Sequence, residues 1–302
     1  MKPKALALLF SISVCGGPGA AANARDAATT AAGCPAEQEQ QPPPLRDLVE
    51  SAEKSTVGIF LVGRPAAQPN APPRRMSGGS GVVVASEKVV TCLHVLAPPP
   101  GMQVIGVEVI RDEDWFNGGL SAPLHAEPRF QALAPDLAFL DVPGLVAPPG
   151  RVGDFSKVRA GDEVFFVGHP TTSNGAFPLD DINVGPAAGT GIVSVIEPMP
   201  MQGVPVAQRP PVVRLSAAVN HGNSGGGLFS RVDGTLIGIV NAKAGHLSKF
   251  LEESKNINPG ARMIMGGVDP FAILQEGLRE MESNLQLGIG YAIPISTAPI
   301  RK

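Results

Sequence analysis

The sequence predicts an all-β protein built as two six-stranded antiparallel β-barrels, with one helical segment inserted in the second. Three observations carry this expectation. The 302-residue chain holds 36 glycines and 31 prolines, so turns must be frequent and long helical bundles are disfavoured. From residue 56 onward, short runs rich in Val, Ile, Leu and Ala alternate with these turn formers, six runs on either side of a Pro/Gly cluster at 142–150. Closing such short strands into barrels removes exposed sheet edges. Hydrophobic residues make up 43% and charged residues 17%, which is enough apolar surface for a core. With 12 Phe, one Trp and one Tyr, that core must be mainly aliphatic.

Taken in chain order, residues 1–24 read as a secretory signal. Lys2 and Lys4 precede a largely apolar run, Ala5 to Cys15, and Ala22-Asn23-Ala24 is a small-x-small cleavage site. The run is too short to cross a bilayer, and no later stretch is long and apolar enough to do so. Residues 25–45, rich in Ala, Gln and Pro, read as a disordered linker. The expected N-terminal barrel, 46–150, contains the runs Thr56–Val62, Ser80–Ala85, Val89–Cys92, Val104–Ile110, Leu124–Leu133 and Leu137–Val142. A tight turn at 86–88 joins the second and third.

The second barrel, 151–302, contains Glu163–Gly168, Gly191–Ile196, Val212–Ser216, Gly227–Ser230, Leu236–Asn241 and Gly290–Ile293. Its inserted segment, 246–287, is helical in pattern. Asp269 can cap, Pro270 suits a first helical position, and Phe271, Leu274, Leu278, Met281 and Leu285 recur at helical spacing. A helix packed on the barrel is the expectation for it.

Net charge is −3 with both signs well mixed, which excludes a nucleic-acid footprint and a basic membrane-surface patch. Three cysteines lack zinc-site spacing and are too few for a disulfide scaffold; Cys34 and Cys92 are either bridged or free thiols. No metal or cofactor motif is present.

The densest chemical signal is His221-Gly222-Asn223-Ser224-Gly225-Gly226-Gly227. A serine among glycines presents its hydroxyl beside unobstructed backbone N–H groups. Those of Gly222 and Ser224 could hold a developing oxyanion. A plain glycine-rich turn is the other reading. Serine needs a base. His94, at the end of the apolar strand Val89–Leu93, is costly to place there without a partner. A satisfied core histidine is the alternative. Asp136, at the mouth of Leu137–Leu140, can accept from His94 Nδ1 and support an imidazolium. Asp141 competes from the far end of the same run. The order is His94, Asp136, Ser224, with the first two in the first strand set and the serine in the second. A cleft between barrels would join them.

With these residues the chain resembles the chymotrypsin-fold serine proteases, and among them the bacterial HtrA/Deg branch. The resemblance rests on Ser77-Gly78-Gly79-Ser80-Gly81-Val82-Val83, Thr91-Cys92-Leu93-His94-Val95 and Asp136-Leu137-Ala138. It continues through Gly168-His169-Pro170, Gly189-Thr190-Gly191-Ile192-Val193-Ser194, Asn220 to Gly226 and Gly288 to Pro294. It implies His94, Asp136 and Ser224 as catalytic residues, with Gly222 and Ser224 as the oxyanion hole. By analogy Ala218, Val219, Asn241 and Ala242 line the primary substrate pocket. None is acidic, so small or medium aliphatic residues before the cut bond are expected.

The chain departs from this pattern in three places. Asn223 stands where pancreatic-type relatives carry Asp, a PDZ domain is not expected after Pro294, and 246–287 replaces a short loop. The implied protein is an exported serine endopeptidase, periplasmic or secreted. It would act on peptides or unfolded proteins without metal or cofactor. The rival is a catalytically silent or latent peptide-binding module of the same fold.

Overall fold

A computed structural model describes residues 42–111, 124–126, 132–134, 136–170, 185–201, 203–243, 269, 273 and 289–295. The first half of this region opens with helix α1 (Leu45–Glu53), followed by β1 (Thr56–Pro65), β2 (Arg74–Ala85), β3 (Lys88–Cys92), β4 (Met102–Arg111), β5 (Leu124–Ala126), β6 (Ala132–Ala134) and β7 (Leu137–Asp141). These strands form one seven-stranded sheet in the order β5-β4-β1-β2-β3-β7-β6. It is a curled half-barrel rather than a closed one among the described residues. The expected run 124–133 contains two short strands, β5 and most of β6.

The second half comprises β8 (Glu163–Gly168), β9 (Ala187–Pro198), β10 (Pro211–Ser216), β11 (Gly227–Ser230), β12 (Leu236–Lys243) and β13 (Ile289–Pro294). It closes into a six-stranded barrel, β10-β13-β12-β11-β8-β9. All named strand pairings are antiparallel. Each expected strand run falls on one or more of these elements. The expected signal and most of the linker lie outside the described residues. So does the 246–287 helix, apart from Asp269 and Ile273, where Ile273 N–H donates to Asp269 O at 3.2 Å.

Helix α1 is the element that the strand pattern did not announce. Leu48 and Ala52 lie one turn apart and are buried, with Leu45 and Val49 packed beside them. Pro44 precedes it without a side-chain cap, so the usual start signal is missing, and the four apolar positions carry it together with Asp47 in the first turn. The core is aliphatic, as composition required. One cluster joins Val57, Ile59, Val82, Val89, Leu137 and Leu140 of the sheet to Phe165, Phe229, Leu236 and Ile239 of the barrel. A second fills the barrel with Val164, Val213, Leu215, Leu228 and Val240.

Register places the site. Cys92, last in β3, pairs with Leu137, first in β7. The chain just after β3 and the chain just before β7 therefore leave the sheet side by side, carrying His94 and Asp136. In the barrel, Gly227 of β11 pairs with Ile239 of β12, which brings the loop before β11 against the end of β12. That loop carries Ser224, and the end of β12 carries Asn241.

Candidate active site

A short 3-10 turn, Leu93–Leu96, lifts His94 out of the sheet while Val95 and Leu96 stay buried. Asp136 meets it with three acceptors. Its main-chain O accepts from Leu93 N–H at 3.1 Å, Oδ1 accepts from His94 N–H at 2.8 Å, and Oδ2 lies 2.6 Å from His94 Nδ1. Asp136 holds φ +74°, a left-handed backbone that costs a non-glycine residue about 1 kcal/mol. The hydrogen bonds to Leu93 and His94 hold it there. With Nδ1 engaged by the carboxylate, His94 Nε2 makes no hydrogen bond among the described residues. Asp141, the local competitor, pairs instead with Lys88 at 2.8 Å.

Ser224 is half-buried in a loop shaped by two left-handed glycines, Gly222 at φ +87° and Gly225 at φ +89°. Asn223 N–H closes onto Asn220 O at 3.2 Å, so Gly222 takes the third place of a type II turn. Among the described residues, the N–H groups of Gly222 and Ser224 make no hydrogen bond, which leaves both donors available. Gly225 can only be glycine: a Cβ there would sit 1.9 Å from Ser80 O.

Asn241 links the two halves of the site. Its amide Nδ2 donates to Asp136 Oδ2, and its main-chain O accepts from Ser224 Oγ at 3.0 Å. Ser224 Oγ is thus turned to Asn241 and not bonded to His94 among the described residues. Behind them Cys92 is a free, wholly buried thiol that donates to Val240 O at 3.3 Å. Burial, reinforced by the nearby Asp136 charge, pushes its pKa far up, so it stays a neutral apolar filler.

Cys92, His94 and Asp136 place three potential ligand atoms within 4.8 Å of one another, the only such group among the described residues. Asn241 Nδ2 also reaches Cys92 Sγ, at 3.8 Å, so the amide stands against both thiol and carboxylate. The Asn241 amide, an N–H donor aimed at both ligand-bearing groups, fits hydrogen bonding to them.

The residues expected to line the substrate pocket are placed differently from one another. Ala218 is exposed, Val219 is buried in the barrel core, and Ala242 lies in β12 opposite Tyr291. The Asn241 side chain points to Asp136 and Cys92. That side chain is expected in the pocket by the resemblance, and Ser80 and Thr91 stand only within the stretches that carry it. Both are polar residues on strands rich in buried valine and are themselves wholly buried. A hydroxyl in such a strand is costly unless it is hydrogen-bonded, and that cost is the signal by which the pattern of residues marks both positions.

The fold is shared with proteases. A solved structure of the HtrA-type protease AlgW with a decapeptide aligns over 84% of this chain and 65% of its own, with TM-score 0.52 and 21% identity. Among curated proteins, the chain is 28% identical over 232 residues to the peroxisomal leader peptide-processing protease of Mus musculus, covering 74% of this chain and 34% of that one. It is 29% identical over 185 residues to a probable periplasmic serine endoprotease, DegP-like, of Marinomonas sp. (strain MWYL1), covering 60% and 33%. The chain thus spans about one third of the length of the curated relatives it matches. The trypsin-like peptidase domain matches residues 79–239, a stretch that contains His94, Asp136 and Ser224. The chain belongs to the trypsin-like peptidase family.

Proposed function

We propose that this chain is an exported serine endopeptidase in which His94, Asp136 and Ser224 form the catalytic triad. The observation that carries the reading is the 2.6 Å contact of His94 Nδ1 with Asp136 Oδ2, which also accepts from Asn241 Nδ2, while Asn241 O accepts from Ser224 Oγ. In the reaction, Ser224 Oγ leaves Asn241 O by rotation about its Cα–Cβ bond and gives its proton to His94 Nε2. It then attacks the peptide carbonyl. Asp136 keeps the proton of His94 on Nδ1, so that Nε2 is the basic nitrogen, and stabilises the imidazolium that forms. The N–H groups of Gly222 and Ser224 receive the oxyanion. His94 then protonates the leaving amine, and the acyl-enzyme is hydrolysed by water activated on the same nitrogen.

Substrates on this reading are peptides or unfolded proteins cut after small or medium aliphatic residues. Support comes from Ala218, which is exposed and apolar, and from the apolar residue at Ala242; Val219 and Asn241 are committed to the core and to Asp136. Clear preference for an Arg-terminated chromogenic peptide over Val- and Ala-terminated ones overturns that part. Export rests on the charged start, apolar run and Ala22-Asn23-Ala24 site of residues 1–24. The name of the Marinomonas relative places that protein in the periplasm and the name of the mouse relative ties that one to the peroxisome. Recovery of a mature form beginning at Arg25 from a secreting host tests it.

The central test is labelling with a fluorophosphonate, with Ser224→Ala as control. Label on folded wild type that is lost in S224A is expected. Folded wild type that takes no label is instead the silent module.

A further inference from the structure

Ser80 belongs to β2 of the first sheet, is wholly buried, and uses every polar atom it owns. Its N–H donates to Ser224 O at 2.8 Å. Its hydroxyl donates to Gly222 O at 2.6 Å and accepts from His169 N–H at 2.8 Å. Its carbonyl accepts from Thr91 Oγ1 at 2.6 Å and stands where a Cβ on Gly225 would fall. Three of these contacts reach the other half of the molecule, and two grip the nucleophile loop.

The two gripped carbonyls are not arbitrary. The Gly222 carbonyl belongs to the peptide 222–223 and the Ser224 carbonyl to the peptide 224–225. Between them lies the peptide that carries the Ser224 N–H. A peptide is a rigid plane with its N–H opposed to its C=O. In the enclosed peptide Asn223 O accepts from Gly226 N–H at 2.9 Å, which turns the opposed Ser224 N–H the other way, and pinning both flanking carbonyls holds the backbone on either side of it. Holding the carbonyl of Gly222 also restricts the turn on which the Gly222 N–H depends. Gly222 and Gly225 each populate left- and right-handed backbone readily, and the loop's own bonds, Asn223 N–H to Asn220 O and Gly226 N–H to Asn223 O, do not reach the Gly222 carbonyl. The hydroxyl that makes up the difference comes from a residue 142 positions away.

We propose that Ser80 positions the oxyanion hole, its hydroxyl anchoring the Gly222 end of the loop while its main-chain N–H anchors Ser224 O, so that removing the hydroxyl lets the Gly222 and Ser224 donors drift from convergence. The proposal rests on the reading of the chain as a serine endopeptidase.

The experiment uses the purified full chain with Ser80→Ala and Ser80→Cys. Alanine leaves Gly222 O and His169 N–H without this partner. Cysteine is of similar size and is a weaker donor and acceptor. For S80A, kcat is expected to fall about 10-fold or more with KM within about threefold, since loss of oxyanion stabilisation acts on the transition state. Affinity for a peptide aldehyde, whose hemiacetal oxygen occupies the hole, should fall by the same factor as kcat. Affinity for the unreactive peptide amide of the same sequence should hold. S80C should fall between S80A and wild type on both scales.

A purely structural role lowers Tm and leaves the aldehyde-to-amide affinity ratio unmoved. A folded S80A with that ratio and kcat both within about twofold of wild type overturns the proposal. If S80A does not fold, S80C decides by the same two readouts. Fluorophosphonate labelling of wild type at Ser224, with the ratio unmoved by either variant, overturns the Ser80 assignment alone. Wild type that takes neither label nor aldehyde overturns the endopeptidase reading as well.

Discussion

Asn241 Nδ2 and His94 Nδ1 both bond the same oxygen of Asp136, one from the closed barrel and one from the curled sheet. Because Asn241 O also receives Ser224 Oγ, this one residue spans the cleft that the three candidate catalytic groups share. A hydrogen bond to a charged group contributes about 1.5–3 kcal/mol. Asn241→Ala should therefore lower kcat roughly 10- to 100-fold with little change in KM, read from steady-state kinetics. Asn241→Asp should do more. Two facing carboxylates cannot both ionise freely, so the acid limb of the kcat/KM profile should move to higher pH.

The triad assignment makes a prediction about additivity. Ser224→Ala and His94→Ala should each lower kcat by about 10⁶-fold, and the double variant should lose hardly more than either alone. Additive losses would mean that the two residues do not act as one unit.

Two glycines of like backbone geometry separate strain from collision. Gly225 sits at φ +89° with Ser80 O 1.9 Å and Thr91 Oγ1 2.4 Å from any added Cβ. Gly101 sits at φ +76° with nothing within 4 Å. Gly101→Ala should cost about 1 kcal/mol in urea unfolding, the left-handed penalty alone. Gly225→Ala should cost about 3 kcal/mol or more, because strand backbone must also shift.

Cys92 provides a probe of global opening. As a buried thiol with a raised pKa it should resist alkylation in the folded protein and react once the chain is unfolded, as mapped by mass spectrometry of its peptide. Rapid native labelling would show that the region behind Asp136 opens locally.

Asp233 links stability to pH. Partial burial pushes its pKa up, but the Thr235 hydroxyl and N–H, the Ser230 hydroxyl and the Arg151 charge together hold it below the ordinary carboxylate value. A group with a lower pKa folded than unfolded lends stability above its unfolded pKa, about 3.9, and loses it as pH falls through the folded value. The stability gap between wild type and Asp233→Asn should be present at neutral pH and close in strong acid. Asp233 is half exposed, so the gap should be under about 1 kcal/mol.

Much of this was legible one residue at a time. Strand runs such as Glu163–Gly168 and Gly227–Ser230 could be read off with their ends correct because side-chain pattern and turn formers act locally. Helix α1 was not, since it follows three prolines and carries no cap. His94 and Asp136 could be singled out because each is a polar residue at the end of an apolar strand, and such a residue needs a partner. Which partner was a matter of register: Cys92 opposite Leu137 decides that they meet.

The sequence by itself determined the two strand sets, the breaker between them, the aliphatic core, and the glycine frame around Ser224. All are properties of neighbours along the chain. Tertiary structure alone decided that one strand set closes while the other curls as a half-barrel, and that Asn241 turns its amide to Asp136, 105 residues away. It also decided that Ser80 grips Gly222 and that Ser224 Oγ rests on Asn241 O. These are hydrogen bonds between groups brought together by packing. A polar residue's composition says that it needs a partner, and only the fold says which one is within reach.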